Sequence, residues 1–105
     1  MALTRAFKDT VLARVSSDPD FRDALLAEAV NALLEGDVDA GKTILRDYIK
    51  ATVGFETLAD KTGTPSKSLM RMFGPTGNPA ARNFFAVIGE LQRASGVTLA
   101  VRAGQ

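Results

Sequence analysis

The chain contains no histidine and no cysteine, and this limits the chemistry that its other residues can do. Without histidine it lacks the usual general base near neutral pH, and without either residue it has no Ser-His or Cys-His nucleophile pair. Zinc ligands of both common kinds are absent, and so are disulfides. We therefore expect a protein that is not an enzyme and that uses no metal and no cofactor.

One segment matches a nucleotide-binding motif by its letters. Gly36–Thr43 has the pattern G-x-x-x-x-G-K-[ST] of a phosphate-binding loop. Such a loop follows a buried strand, whereas Ala24–Leu34 has a helical period, and Asp37 and Asp39 would repel phosphates. We expect a turn between two helices with Asp39 as the cap, no nucleotide binding, and Lys42 on the surface. A nucleotide hydrolase stays open as a third alternative.

Any site must be positioned by one small domain, because the chain has 105 residues, 46% of them hydrophobic and 24% charged. No apolar run approaches the ~20 residues of a membrane span, and Met1–Val15 carries charges where a signal peptide would be apolar, so we expect a cytoplasmic protein. Residues 51–105 hold six Lys/Arg against three Asp/Glu, a balance of +3, and residues 1–50 have a balance of −2. The basic half is the half that can meet phosphate.

Helical periods predict about six helices, namely Leu3–Val15, Pro19 to near Gly36, Asp39–Val53, Phe55–Thr62, Ser66–Phe73 and Ala80–Ala94. Three of them follow a cap residue and a proline, which is a start signal for a helix: Asp18-Pro19, Thr64-Pro65 and Asn78-Pro79. After Gly96 the pattern alternates, and this predicts a strand over Val97–Arg102.

Phe55–Gly74 has the pattern of two short helices joined by a tight turn. Ala59 is small where the second helix crosses the first, and Gly63 supplies the turn. The expected apolar anchors are Leu58, Leu69, Met72 and Phe73. The positions left facing outward form a polar and basic surface suited to a DNA major groove, namely Ser66, Lys67, Ser68, Met70 and Arg71.

This segment resembles the helix-turn-helix of the phage-repressor-like (XRE) regulators. The following helix, opened by Gly77-Asn78-Pro79, and the segment Ser95–Leu99 are similar to the antidote, or HigA-like antitoxin, branch. The resemblance covers about Asp47–Val101. It implies a sequence-specific DNA-binding transcriptional regulator, a repressor that binds double-stranded DNA as a homodimer and is often the autorepressing antitoxin of a small toxin protein.

Carried over from the family, the base-contacting positions are Ser66, Lys67, Ser68 and Arg71. The DNA-backbone positions are Phe55, through its backbone N–H, with Thr64, Asn78 and Arg82.

The sequence thus predicts an all-α fold, a helix-turn-helix bundle of about six helices with one short C-terminal β-strand. It forms a single domain over residues 1–105: an N-terminal helical hairpin (1–37), a helix-turn-helix core (38–96), and a C-terminal strand and tail (97–105). A lone strand needs a partner, so we expect a homodimer in which two copies pair through Val97, Leu99 and Val101. The alternatives are an irregular tail packed on its own domain, or a dimer made by the first two helices. The alternative function is a protein-protein interaction module with a vestigial helix-turn-helix.

Overall fold

The fold is built from helices, as the sequence predicts. The computed structural model describes residues 10, 13–15 and 17–104. Within these, five helices have defined bounds: α1 (Pro19–Leu34), α2 (Val38–Ala51), α3 (Phe55–Thr62), α4 (Ser66–Met72) and α5 (Ala81–Ser95). Residues 10, 13–15 and 17 are also helical, and the rest of the predicted first helix lies outside the described residues. No helix in the described part of the chain is long and apolar enough to span a membrane.

Two aspartates set the starts of α1 and α2. The Asp18 carboxylate accepts a hydrogen bond from the N–H of Phe21 at 3.2 Å, and a proline follows it, so this predicted start is confirmed. At α2 the cap is Asp37, whose carboxylate accepts from the N–H of Ala40 at 3.2 Å. The prediction that Asp39 caps this helix is wrong. Asp39 lies in the first turn, where its charge still favours the helix N-terminus.

The other two start signals are displaced by one or two residues. Pro65 has φ −56° and ψ 143°, which is extended, so it is the residue before α4 rather than the first helical one. Ala80 has the same role before α5, and neither helix has a side-chain cap. A proline pushes the residue before it out of the helical region, so Thr64 and Asn78 are extended or turn residues instead of caps.

The core lies where α1 and α2 pack as a hairpin against α3, α4 and α5. Gly41 permits the close approach inside the hairpin, because a Cβ at this position would overlap the Leu33 side chain. The largest fully buried side chains come from every described helix: Tyr48, Phe73, Leu26, Leu45, Ile49, Leu58, Leu69, Leu91, Val15 and Val87.

The predicted C-terminal strand is wrong, because Val97–Arg102 has no regular secondary structure and no strand occurs in the described residues. The Leu99 N–H, which a sheet ladder would use, donates to the Gln92 side-chain oxygen at 2.8 Å. Val97 and Leu99 are half-buried, whereas Val101 is 77% exposed. The alternation of apolar residues therefore marks the side chains with which an irregular tail packs against its own domain.

Candidate nucleic-acid interface

The turn between α3 and α4 is fixed by local hydrogen bonds. Gly63 ends α3 with φ 73°, a left-handed conformation that suits glycine, and its N–H donates to the Ala59 carbonyl at 2.9 Å. The Thr62 hydroxyl donates to the Leu58 carbonyl at 2.9 Å and accepts from the Thr64 N–H at 3.3 Å. These bonds use the polar groups of the turn within the turn itself, so the two helices are joined by a short, ordered connection.

The inner side of α4 is anchored by apolar side chains. Leu69 is 1% exposed and Phe73, directly after the helix, is 2% exposed. The Phe73 ring lies between two others, with centroids 6.4 Å from Phe55 and 5.5 Å from Phe84. The second pair is edge-to-face, an arrangement that contributes beyond its buried area. The predicted anchors Leu58, Leu69 and Phe73 are therefore confirmed as buried, and Met72 is partly buried beside them.

The outer side of α4 presents the three side chains Lys67, Met70 and Arg71, all of which are exposed. Their spacing of i, i+3 and i+4 puts them on one face of the helix. Ser66 and Ser68, the other two predicted base-contacting residues, are half-buried. The predicted base-contacting set is thus brought onto one seven-residue helix, with the two cations as its most accessible members.

The predicted backbone-contacting residues lie on the elements before and after this helix. The Phe55 ring is buried, and the residue is the first of α3, where a backbone N–H has no acceptor within its own helix. The N–H of Thr64 is taken by Thr62, and its side chain is half-buried. Asn78 lies on the loop before α5, and Arg82 lies in the first turn of that helix; both are exposed.

Carboxylates adjoin the turn, and reasoning from net charge missed them. Glu56 and Asp60 are exposed and line a shallow depression together with Thr64 and Ser66. Two carboxylates one helical turn apart make the α3 side of this surface unfavourable for phosphate. The exposed cations on and around the turn are Lys67 and Arg71 on α4, Arg82 at the start of α5, and Lys61 in the last turn of α3.

Lys42 is buried and holds the loop that follows α4, so the prediction that it lies on the surface is wrong. Its side chain is 6% exposed, and Nζ donates to the carbonyl oxygens of Gly77 at 2.6 Å and Gly74 at 3.2 Å. Among the described residues, the carboxylate nearest to this ammonium group is that of Asp39, with Oδ1 at 3.7 Å. A signal for this role is present in the loop Gly74-Pro75-Thr76-Gly77. Carbonyl groups of a tight loop that lie out of water need hydrogen-bond donors, and a lysine can supply them.

The residues of Gly36–Thr43, which match the phosphate-loop pattern, have structural roles in the fold. The segment follows a helix, since α1 ends at Leu34, and Asp37 caps the helix that contains the rest of the motif. The motif glycine at position 41 allows helix packing, and the Lys42 ammonium group already donates to two carbonyls.

The structure thus places Ser66, Lys67, Ser68 and Arg71 on one helix and Arg82 on the next helix. The C-terminal tail lies beside α1 and α5. No group of His, Cys, Asp or Glu side chains in the described residues is arranged to hold a metal ion. In comparisons with known proteins, no family model, curated protein or solved structure matches this chain.

Proposed function

We propose that this chain is a sequence-specific DNA-binding transcriptional regulator that inserts α4 into the major groove as the second helix of a helix-turn-helix. One observation carries the proposal. A short helix is anchored on its inner side by Leu69 and Phe73 and presents Lys67, Met70 and Arg71 outward. A rigidly held helix with exposed cations is what reading base edges requires, because lysine and arginine bond guanine O6 and N7.

The proposed regulator acts as a repressor by occupying a promoter, without chemistry of its own. The resemblance to the antidote branch supports an autorepressing antitoxin, with a small toxin protein as its partner. A palindromic operator places two half-sites ~34 Å apart, so we propose that a homodimer binds it. Within one chain the tail is irregular and bound to Gln92, so nothing in its conformation favours the strand pairing through Val97, Leu99 and Val101 over a dimer made by the first two helices.

The test begins by enriching duplexes from a random library with the parent protein. Titration of an enriched duplex and a scrambled duplex by fluorescence anisotropy then gives the specificity ratio at a fixed salt concentration. We expect Arg71→Ala to lose ~1–3 kcal/mol of binding free energy on the enriched duplex and to relax specificity at one base pair. Arg93→Ala is the matched control, because Arg93 is exposed on α5 and pairs with Glu90 at 2.8 Å.

Lys67→Ala separates the two kinds of contact. If Lys67 meets a phosphate, its loss weakens all duplexes alike and lowers the slope of log affinity against log salt by about 0.9. Failure to enrich any sequence, or equal affinity of parent and Arg71→Ala for every duplex, would refute the proposed function.

One observation favours the alternative of a protein-protein interaction module. Three exposed apolar side chains, Leu34, Phe85 and Val101, line one groove between α1, α5 and the tail, and they are 62%, 64% and 77% exposed. Exposed apolar clusters of this kind mark interaction surfaces. Salt dependence distinguishes the functions, since a phosphate-contacting complex weakens steeply with salt and an apolar one does not.

A further inference from the structure

A half-enclosed cavity of about 340 Å³ lies outside the surface formed by α3 and α4. Its described walls come from Val15, α1, α2, the turn after α2, and α5, and none belongs to α3 or α4. The volume is within the range of about 300–1,000 Å³ that small-molecule sites occupy. Five of the described lining residues are apolar: Val15, Ala51, Val53, Leu91 and Ala94.

The polar side chains in the lining leave a hydrogen-bond donor unused. The Tyr48 hydroxyl is buried and meets no acceptor with hydrogen-bond geometry among the described residues, and the Ser95 hydroxyl is its polar neighbour. The Thr52 hydroxyl already donates to the Tyr48 carbonyl at 2.7 Å, and the Ser95 hydroxyl donates to the Gln92 carbonyl at 3.2 Å. A buried donor without an acceptor destabilises the fold, so a ligand oxygen at this point would recover free energy.

Burial raises the pKa of the Tyr48 hydroxyl; the neighbouring Ser95 hydroxyl and the Arg22 charge lower it, and the Asp23 charge raises it. The hydroxyl therefore keeps its proton at neutral pH and is available as a donor.

Arg22 supplies the charge of the cavity. It is half-buried, and its Nε donates to the Asp23 carboxylate at a distance of 3.4 Å. Its terminal nitrogens make no hydrogen bond with other described residues. Asp23 is not part of the described lining, but its pairing with Arg22 and its effect on Tyr48 mean that it offsets part of this positive charge. The planar guanidinium group is the side chain best matched to a carboxylate, which it binds through two parallel N–H groups.

We propose that this cavity binds a small organic monocarboxylate, with its carboxylate on Arg22, a hydrogen bond from Tyr48, and its apolar body against Val53 and Leu91. The apolar side chains of the lining can bury the body of an organic anion, whereas inorganic phosphate has no apolar surface to bury there. The site is independent of the proposed DNA-binding function, so either can fail without the other.

The experiment is calorimetric titration of the full chain with benzoate and hexanoate, and with benzamide and inorganic phosphate as matched probes. We expect at least one of the two carboxylates to bind with Kd ~0.1–1 mM. Benzamide, which has the shape of benzoate without its charge, and phosphate, which has charge without an apolar body, should each bind at least ~10-fold more weakly.

Two variants test the two halves of the site. Arg22→Gln should weaken carboxylate binding at least ~10-fold, while Arg46→Gln on α2, outside the lining, should leave it within about twofold. Ala51→Leu fills the cavity without touching the charge and should also abolish binding. The proposal is overturned if neither carboxylate binds up to ~10 mM, if phosphate binds as tightly, or if neither lining variant weakens binding. Should Arg22→Gln fail to fold, the four probes and Ala51→Leu still decide the question.

Discussion

Replacing Lys42 by methionine tests whether a buried cation on α2 holds the loop that follows α4. Methionine keeps an unbranched apolar stem, one atom shorter than the lysine side chain, and removes the ammonium donor. The variant leaves the carbonyl oxygens of Gly74 and Gly77 without the donor that reaches them at 3.2 and 2.6 Å. Because both carbonyls lie within five residues of Met72, the change acts directly on the end of α4.

The expected magnitude follows from these two bonds. A hydrogen bond from a charged donor stabilises a fold by about 1.5–3 kcal/mol, while removing a buried charge returns part of its desolvation cost. The nearby Asp39 carboxylate is 93% exposed, so its attraction for the ammonium group is screened and adds little. We expect the free energy of unfolding to fall by about 2 kcal/mol and, in a domain of this size, Tm to fall by roughly 10 °C.

The assay is urea and thermal unfolding followed by circular dichroism, with Lys50→Met as the matched control. Lys50 is exposed on the same helix, so its replacement should change stability by no more than about 0.5 kcal/mol. Amide hydrogen exchange then localises the effect, with the Gly77 N–H, which donates to the Gly74 carbonyl at 3.1 Å, exchanging faster. Equal unfolding midpoints for the two methionine variants would refute the assigned role of Lys42.

Three further outcomes follow from the same structure. Gly77→Ala should destabilise the fold, because its Cβ would collide with carbonyl oxygens at the end of α4, whereas Gly74→Ala, with its nearest carbonyls at 3.4 Å, serves as the tolerated control in urea unfolding. Phe73→Ala should cost about 3–5 kcal/mol in the same assay, and Phe85→Ala, at a site 64% exposed, should cost far less. Because burial raises the pKa of Tyr48, the unfolded chain ionises first as pH rises, so stability should fall above about pH 10. Tyr48→Phe should flatten that fall in pH-dependent thermal unfolding, and an unchanged alkaline slope would contradict the assignment.

The positions of most helices could be predicted because local signals decide them. The caps and glycines around α1 and α3 act within a few residues of the chain, and α3 has the predicted bounds Phe55–Thr62. The proline signals before α4 and α5 were less accurate, since a proline fits both the first helical position and the extended residue before it. Pro65, with ψ 143°, is the extended residue before α4.

Features that depend on distant partners could not be read from local pattern. Lys42 is separated by 35 residues from Gly77, the acceptor nearest to it, and a lysine one turn into a helix reads as a surface residue from periodicity alone. The prediction of a strand in the C-terminal tail was wrong for a related reason. Alternating apolar residues indicate a half-buried segment, but whether its N–H groups meet a strand or a side chain such as Gln92 depends on packing that the alternation does not encode.

In the proposed DNA complex, we expect positive surface charge to contribute less to the binding affinity than well-placed base contacts. The exposed cations on α4 and the start of α5 are Lys67, Arg71 and Arg82, while on α3 Glu56 and Asp60 outnumber the exposed Lys61 and oppose phosphate. A surface with few cations gains little from counterion release, so non-specific binding to the DNA backbone is weak and affinity must come from well-placed base contacts. Placement depends in turn on the residues that fix α4 from within, and this is why a buried lysine and a buried aromatic cluster matter as much to the proposed function as the side chains that would touch DNA.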